Sequence, residues 1–129
     1  MNNNNKISED EMVEFLKTML SINITRDQLT KPSKEILLYI YGRFLEDFGC
    51  NSLDQPDIKA CDSIMNIENM KPMIYSINIA KFLSQFLVRL GIPDFTLLDI
   101  LQPKRSRTYK IISTLCKFYL KFFKNKVYL

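Results

Sequence analysis

The chain has 129 residues, 47% of them hydrophobic, with three Gly, five Pro and no Trp, which suits one compact helical domain and argues against a loop-rich β fold. Histidine is absent and the three cysteines, Cys50, Cys61 and Cys116, form no C-x-x-C pair, so a zinc site built from Cys and His is excluded. The formal net charge of +4 joins two unlike halves: residues 1–70 carry seven basic and twelve acidic side chains, a balance of −5, and residues 71–129 carry eleven and two, a balance of +9.

Residues 1–7 begin with an Asn run and read as a disordered tail. Ser8 and Glu11 have capping-box spacing, and Met12, Phe15, Leu16, Met19 and Leu20 then recur at helical intervals, predicting an amphipathic helix with one buried stripe. Thr25 and Gln28 repeat the capping pattern before a short turn that Pro32 breaks. Ser33 caps the next helix, on which Ile36, Leu37, Ile40, Tyr41, Phe44, Leu45 and Phe48 mark about four turns, with Gly49 as its stop.

Residues 50–70 show little periodicity and read as a loop with one short helix around Ile58 to Met65. Met73 to Leu90 is the most apolar stretch. Its 18 residues are a marginal length for a membrane span, and such a span would contain Lys81 and Arg89. Asn78, Lys81, Gln85 and Arg89 fall on one stripe, which predicts a central helix buried on most of its other sides, ended by Gly91.

Thr96 and Asp99 predict another short capped turn, closed by Pro103, and a last helix follows from about Lys104 to Phe123. Its apolar residues occupy two flanks. Ile111, Leu115, Phe118 and Phe122 lie on one, and Ile112, Cys116, Tyr119 and Phe123 on the other. Such a helix is sandwiched within the domain or docks on another chain. Cys116, on an apolar flank, reads as a small core hydrophobe. No segment alternates as a strand does, so the fold class is all-α, a bundle of five to seven helices over residues 8–123, with 124–129 a linker.

Two segments align without gaps at an offset of 71. Ile24-Thr25 to Pro32 matches Phe95-Thr96 to Pro103, and each leads into a long helix that pairs Ile40 with Ile111, Tyr41 with Ile112, Phe44 with Leu115, and Phe48 with Tyr119. Chance reuse of a stable unit explains this as well as a real repeat does, and two copies are too few for a solenoid.

The same segments carry a resemblance. "ITRDQLTKPSKEILLYIYGRFLEDFG", with its Ile40-Tyr41 pair, resembles the first signature of the Nuf-two kinetochore family head. "IPDFTLLDILQPKRSRTYKIISTLCKFYLKF", with Phe95, Asp99, Ile100, Leu101, Pro103 and Arg107, resembles the second. The likeness runs from about Ser8 to Phe123. It implies a calponin-homology-like fold, pairing with the head of the Ndc-eighty subunit, and attachment of chromosomes to spindle microtubules at the kinetochore in the nucleus. The chain departs from the family where Phe122-Phe123-Lys124 stands in place of the usual Arg-Glu pair, and no heptad run follows residue 123, so other kinetochore subunits would be reached through a coiled coil lying elsewhere in a longer protein.

Catalysis finds little support. There is no histidine base and no P-loop, G-x-G-x-x-G or G-x-S-x-G segment, and Glu9-Asp10-Glu11 is the first turn of a helix, where acids favour the macrodipole. No cofactor, metal, small-molecule substrate or membrane is expected. The odd cysteine count and the lack of a signal peptide read as a reducing intracellular compartment. Basic residues crowd both proline corners: Arg26, Lys31 and Lys34 at the first, Lys104, Arg105 and Arg107 at the second. The resemblance assigns residues at these corners to microtubule contact, although one usual basic position is Ser106 here. A real repeat would put the two corners on a shared face. Phe118, Tyr119 and Phe122 are the expected partner interface. A basic DNA-binding module, or the head of a ciliary or cytoskeletal protein, are the competing readings.

Overall fold

The computed structural model describes residues 6–50, 53 and 67–124. Six α-helices carry the described chain: α1 Glu9–Leu20, α2 Arg26–Thr30, α3 Lys34–Asp47, α4 Ile67–Arg89, α5 Leu98–Leu101 and α6 Arg105–Tyr119, which runs on into a π-helical turn, Leu120–Lys124. No strand occurs among the described residues. The helix expected near Ile58 to Met65 lies outside them.

Local chemistry sets the helix ends. The capping boxes of Ser8 with Glu11 and Thr25 with Gln28 both form, and the Ser33 hydroxyl accepts from the Ile36 amide at 3.1 Å. Gly49 and Gly91, at φ 97° and 94°, end α3 and α4 in the left-handed region. The amides just beyond them, Cys50 and Ile92, donate back to the Leu45 and Leu87 carbonyls at 2.8 Å each. Ile7, inside the expected tail, packs against the core, and its carbonyl accepts from the Tyr109 hydroxyl.

The core lies between four helices. Met12, Leu16 and Leu20 of α1 meet Leu37, Ile40, Tyr41, Phe44 and Leu45 of α3, Ile79, Leu83 and Leu87 of α4, and Ile111, Ile112, Leu115 and Cys116 of α6. Burying side chains of this kind supplies most of the folding free energy, about 1.5–3 kcal/mol each. Both flanks of α6 are therefore enclosed over its first three turns. Arg43 ties α3 to α1 by donating through Nη2 to the Leu20 carbonyl at 2.9 Å.

The long apolar helix differs from its expected form in two respects. α4 begins at Ile67 and passes through Pro72, which close to the N-terminus removes just one ladder bond. It is also less enclosed than its composition implies. Ile74, Ile79, Leu83 and Leu87 are buried, whereas Met73, Ile77 and Val88 are exposed. α3 covers one side of α4, and Gly42 on α3 allows that approach: a Cβ there would collide with the Tyr75 hydroxyl. No described helix is long and apolar enough to cross a membrane.

Candidate interaction surfaces

The two proline corners are the same structure twice. The backbone before Pro32 is Lys31 at φ −128°, ψ 68°, and before Pro103 it is Gln102 at φ −132°, ψ 66°. The Lys31 amide donates to the Asp27 carbonyl at 2.9 Å, and the Gln102 amide to the Leu98 carbonyl at 2.8 Å. The Thr25 amide is held by the Gln28 side chain at 2.9 Å and the Thr96 amide by Asp99 at 3.0 Å. The threonine hydroxyls differ: that of Thr25 accepts from the Gln28 amide at 3.1 Å, and that of Thr96 from the Leu98 amide at 3.3 Å. The paired core residues, Ile40 with Ile111 and Phe44 with Leu115, are buried alike. The agreement of the backbone before each proline and of the paired core positions favours the repeat over coincidence.

The copies differ at the start of their long helices. Ser33 caps α3, and Glu35 lies in its first turn. Lys104 stands at the matching position of α6 and provides no side-chain cap, and the first turn of α6 holds no acid. Arg105 and Arg107 sit there instead, where the positive end of the helix dipole opposes them.

Glu9 of α1 brings the corners together. Arg105 grips it with two bonds, 2.7 Å from Nη2 to Oε1 and 3.1 Å from Nε to Oε2. Arg26 approaches the same carboxylate at 3.8 Å and Asp10 at 3.5 Å. The Glu9 side chain is 15% exposed, against 60% for Arg105. The Arg105 hydrogen bond, reinforced by the charges of both arginines, holds the Glu9 carboxyl below its ordinary range despite the opposing effect of burial.

Arg107 is tied within the chain, which the sequence did not show. Its side chain is 22% exposed and is bound on both sides, to Asp99 at 3.1 Å and Asp94 at 3.0 Å. Hydrogen bonds to Asp99, then Asp94, raise its pKa. It fastens α6 to the segment before it, and few of its donors remain for another molecule. Lys31, Lys34 and Lys104 are exposed and make no ion pair among the described residues.

The opposite end of α6 is aromatic. Phe48 stands at the centre, 4.9 Å from Phe86, 5.1 Å from Phe118 and 5.7 Å from Phe123, ring centre to ring centre. Phe122 lies 4.5 Å from Phe118 and is 49% exposed. Tyr119, expected at a partner interface, is 7% exposed. Its hydroxyl donates to Asp47 at 2.8 Å, and burial, then that bond, push its pKa up to about 12. The π turn begins just after it, so Tyr119 belongs to the core, and the apolar surface is left to Phe118 and Phe122. Two hollows flank these rings, of about 400 Å³ beside Phe86, Arg89 and Leu90 and about 490 Å³ beside Leu90, Lys117 and Phe122.

Sequence reasoning missed the part played by Glu9, because its partner Arg105 lies 96 positions away and its acidic neighbours read as ordinary helix-start residues. It also missed the α4 side of the aromatic end, although Phe86 and Leu90 follow helical spacing with Leu83 and Leu87.

Comparison with known proteins places the whole described chain in one family. The model of the Nuf2 family, the Nuf-two family of the sequence resemblance, matches residues 2–127. The kinetochore protein nuf2 of Schizosaccharomyces pombe is 28% identical over 102 residues, which is 77% of this chain. The chain spans 23% of the length of that relative.

Proposed function

This chain belongs to the Nuf2 family of kinetochore proteins, and from that premise we propose that its calponin-homology-like head is a non-catalytic adaptor in chromosome attachment. The head pairs with the similar head of the Ndc-eighty subunit. It offers its proline corners to the acidic surface of spindle microtubules, in the nucleus, at the kinetochore. The observation that supports this is the meeting of the two corners at Glu9, with Lys31, Lys34 and Lys104 exposed and unpaired among the described residues. Arg26 and Arg105 add to the same face, each partly neutralised by α1.

The attraction is electrostatic. Each exposed contact is worth about 0–1 kcal/mol and is screened beyond about 10 Å at ordinary salt. A single head therefore binds weakly, and many heads on one lattice bind through avidity. A DNA-reading helix fits the same charge less well, because both flanks of α6 are committed to the core over its first three turns and leave one narrow stripe for a groove.

The test is co-sedimentation of the paired heads with microtubules at low and high salt. Lys31→Glu with Lys104→Glu is expected to lower affinity at least fivefold at low salt and much less at high salt. Unchanged sedimentation of the folded double variant removes the corner assignment. Steep salt-dependent binding to duplex DNA without microtubule binding moves the head to the other class.

A further inference from the structure

The second corner carries a hydroxyl among its cations. Ser106 directly follows Lys104 and Arg105 and precedes Arg107. It is exposed, and its hydroxyl makes no hydrogen bond among the described residues. The hydroxyls of Ser8 and Ser33, at two other helix starts, are occupied as caps. Thr108 shares the cations of the second corner but is 1% exposed. Ser106 faces a hollow of about 520 Å³ that it lines together with Glu9, Arg105 and Tyr109.

We propose that Ser106 is a phosphorylation site for a protein kinase that selects cations beside its acceptor serine, and that the phosphate switches off the second corner. The site stands on the local chemistry, and its effect on binding rests on the microtubule reading above. A kinase of this kind presents carboxylates along its substrate groove, which Lys104 and Arg105 meet from the two positions before the hydroxyl. Ser8 stands instead beside Glu9, Asp10 and Glu11, which such a groove repels. Access follows from how loosely this turn is held. A kinase groove takes its substrate extended, and the start of α6 has no side-chain cap and no acid in its first turn. In the transfer, Ser106 Oγ attacks the γ-phosphorus of a magnesium-bound nucleoside triphosphate. The bond from Oγ to phosphorus forms, the bond to the nucleoside diphosphate breaks, and the hydroxyl proton passes to a carboxylate of the kinase.

The product suits the place where it forms. A phosphoserine carries a charge of about −1.5 to −2 at neutral pH. Ser106 is the second residue of α6, where the flanking arginines oppose the helix dipole and a negative charge supports it. Lys104 and Arg105 adjoin it in sequence, and Lys110, at i+4, lies on its side of the helix. The phosphate therefore draws inward the cations that the corner otherwise presents, and it sets a second anion beside Glu9. The head becomes more stable as it becomes less able to meet an acidic surface. A merely disruptive modification would lower both.

The experiment incubates the 129-residue chain, unaltered and as Ser106→Ala, with magnesium ATP and a serine kinase that selects Lys or Arg two residues before its acceptor. The modified residues are mapped by mass spectrometry, there and in the protein isolated from dividing cells. Phosphate on Ser106 is expected in both unaltered samples, and its absence from either overturns the site. The fully phosphorylated chain is then unfolded in urea and, paired with the Ndc-eighty head, sedimented with microtubules. A higher urea midpoint with unchanged slope is expected, with microtubule affinity about tenfold lower at low salt and about twofold lower at high salt. An unchanged or lower midpoint overturns the capture of the phosphate by the helix start. Unchanged sedimentation overturns the switch, and the corner reading stands where Lys31→Glu with Lys104→Glu still weakens binding. Failure of the unmodified paired heads to bind microtubules removes the corner reading, and the mapping and the urea midpoint then decide the Ser106 site by themselves.

Discussion

Gly42→Ala turns a usually favourable change into a damaging one. In a helix interior, alanine in place of glycine gains about 0.8–1.0 kcal/mol. Here the added methyl would run into the Tyr75 hydroxyl, with the ring carbon that bears it at 3.4 Å and Ile79 Cδ1 at 3.5 Å. Forcing a methyl into a packed helix interface costs about 1–3 kcal/mol. The net expectation is a loss of about 1 kcal/mol, or about 4 °C in Tm for a domain of this size. The offending atom is a hydroxyl at the end of one side chain, so the sign should reverse when it is removed. In the Tyr75→Phe background the remaining contacts are near ordinary van der Waals distance, and Gly42→Ala should stabilise by up to about 1 kcal/mol. A double-mutant cycle by urea denaturation isolates this coupling and cancels whatever else the Tyr75 hydroxyl does. If Gly42→Ala stabilises with Tyr75 intact, α3 and α4 are not in the close contact described here.

The remaining predictions concern the corners and the core. Lys104→Ser gives α6 the cap that α3 already has and should raise stability by about 0.5–2 kcal/mol in chemical denaturation, while lowering microtubule affinity. Tyr41→Phe removes a buried phenol with no partner among the described residues and should stabilise by about 1 kcal/mol, seen as a higher urea midpoint with unchanged slope. The Glu9 carboxyl is held below its ordinary value of 4.5 by Arg105. A carboxyl lowered on folding contributes stability that is present above its unfolded pKa and lost as pH falls through its folded one. Arg105→Gln should therefore lower stability at neutral pH, where Glu9 is charged, and flatten the further loss on acidification below about pH 4.5; an unchanged acid limb would show that the Glu9 bond carries no linkage.

What the sequence made legible follows from how local each signal is. Ser8, Thr25 and Ser33 announce their helices because a cap bonds within three residues. Gly49 and Gly91 mark stops because a left-handed residue satisfies carbonyls one turn back. The enclosure of α4 was overstated because periodicity counts apolar residues without saying how many neighbours arrive to cover them. Met73, Ile77 and Val88 continue an apolar circumference that α3 covers on one side. The internal ties of Arg107 were not legible for a related reason. Charge clustering marks Lys104, Arg105 and Arg107 alike, but only tertiary structure shows that Asp94 and Asp99 already hold one of them. Tyr119 and Phe122 belong to one aromatic run, and the π turn that begins after Tyr119 and contains Phe122 leaves one ring in the core and the other outside.

The duplicated corner offers its own control for what folding requires. At the first corner the chain meets the needs of a helix start, with the Ser33 hydroxyl as cap and Glu35 placed to suit the dipole. At the second, with matching backbone before the proline, it forgoes the cap and sets Lys104, Arg105 and Arg107 against the dipole. The fold demonstrably has the better solution available 71 residues earlier, so stability does not account for the second arrangement. Part of the strain is relieved by acids brought from elsewhere, Glu9 for Arg105 and Asp94 with Asp99 for Arg107. Lys104 receives no such relief among the described residues. Under the proposed microtubule contact, an acidic surface outside the chain would supply the opposite charge that Lys104 lacks at its uncapped helix start. The same reasoning ranks the six corner cations for binding: Lys104 and its first-corner counterparts Lys31 and Lys34 foremost, Arg26 and Arg105 behind them while Glu9 remains charged, and Arg107 last.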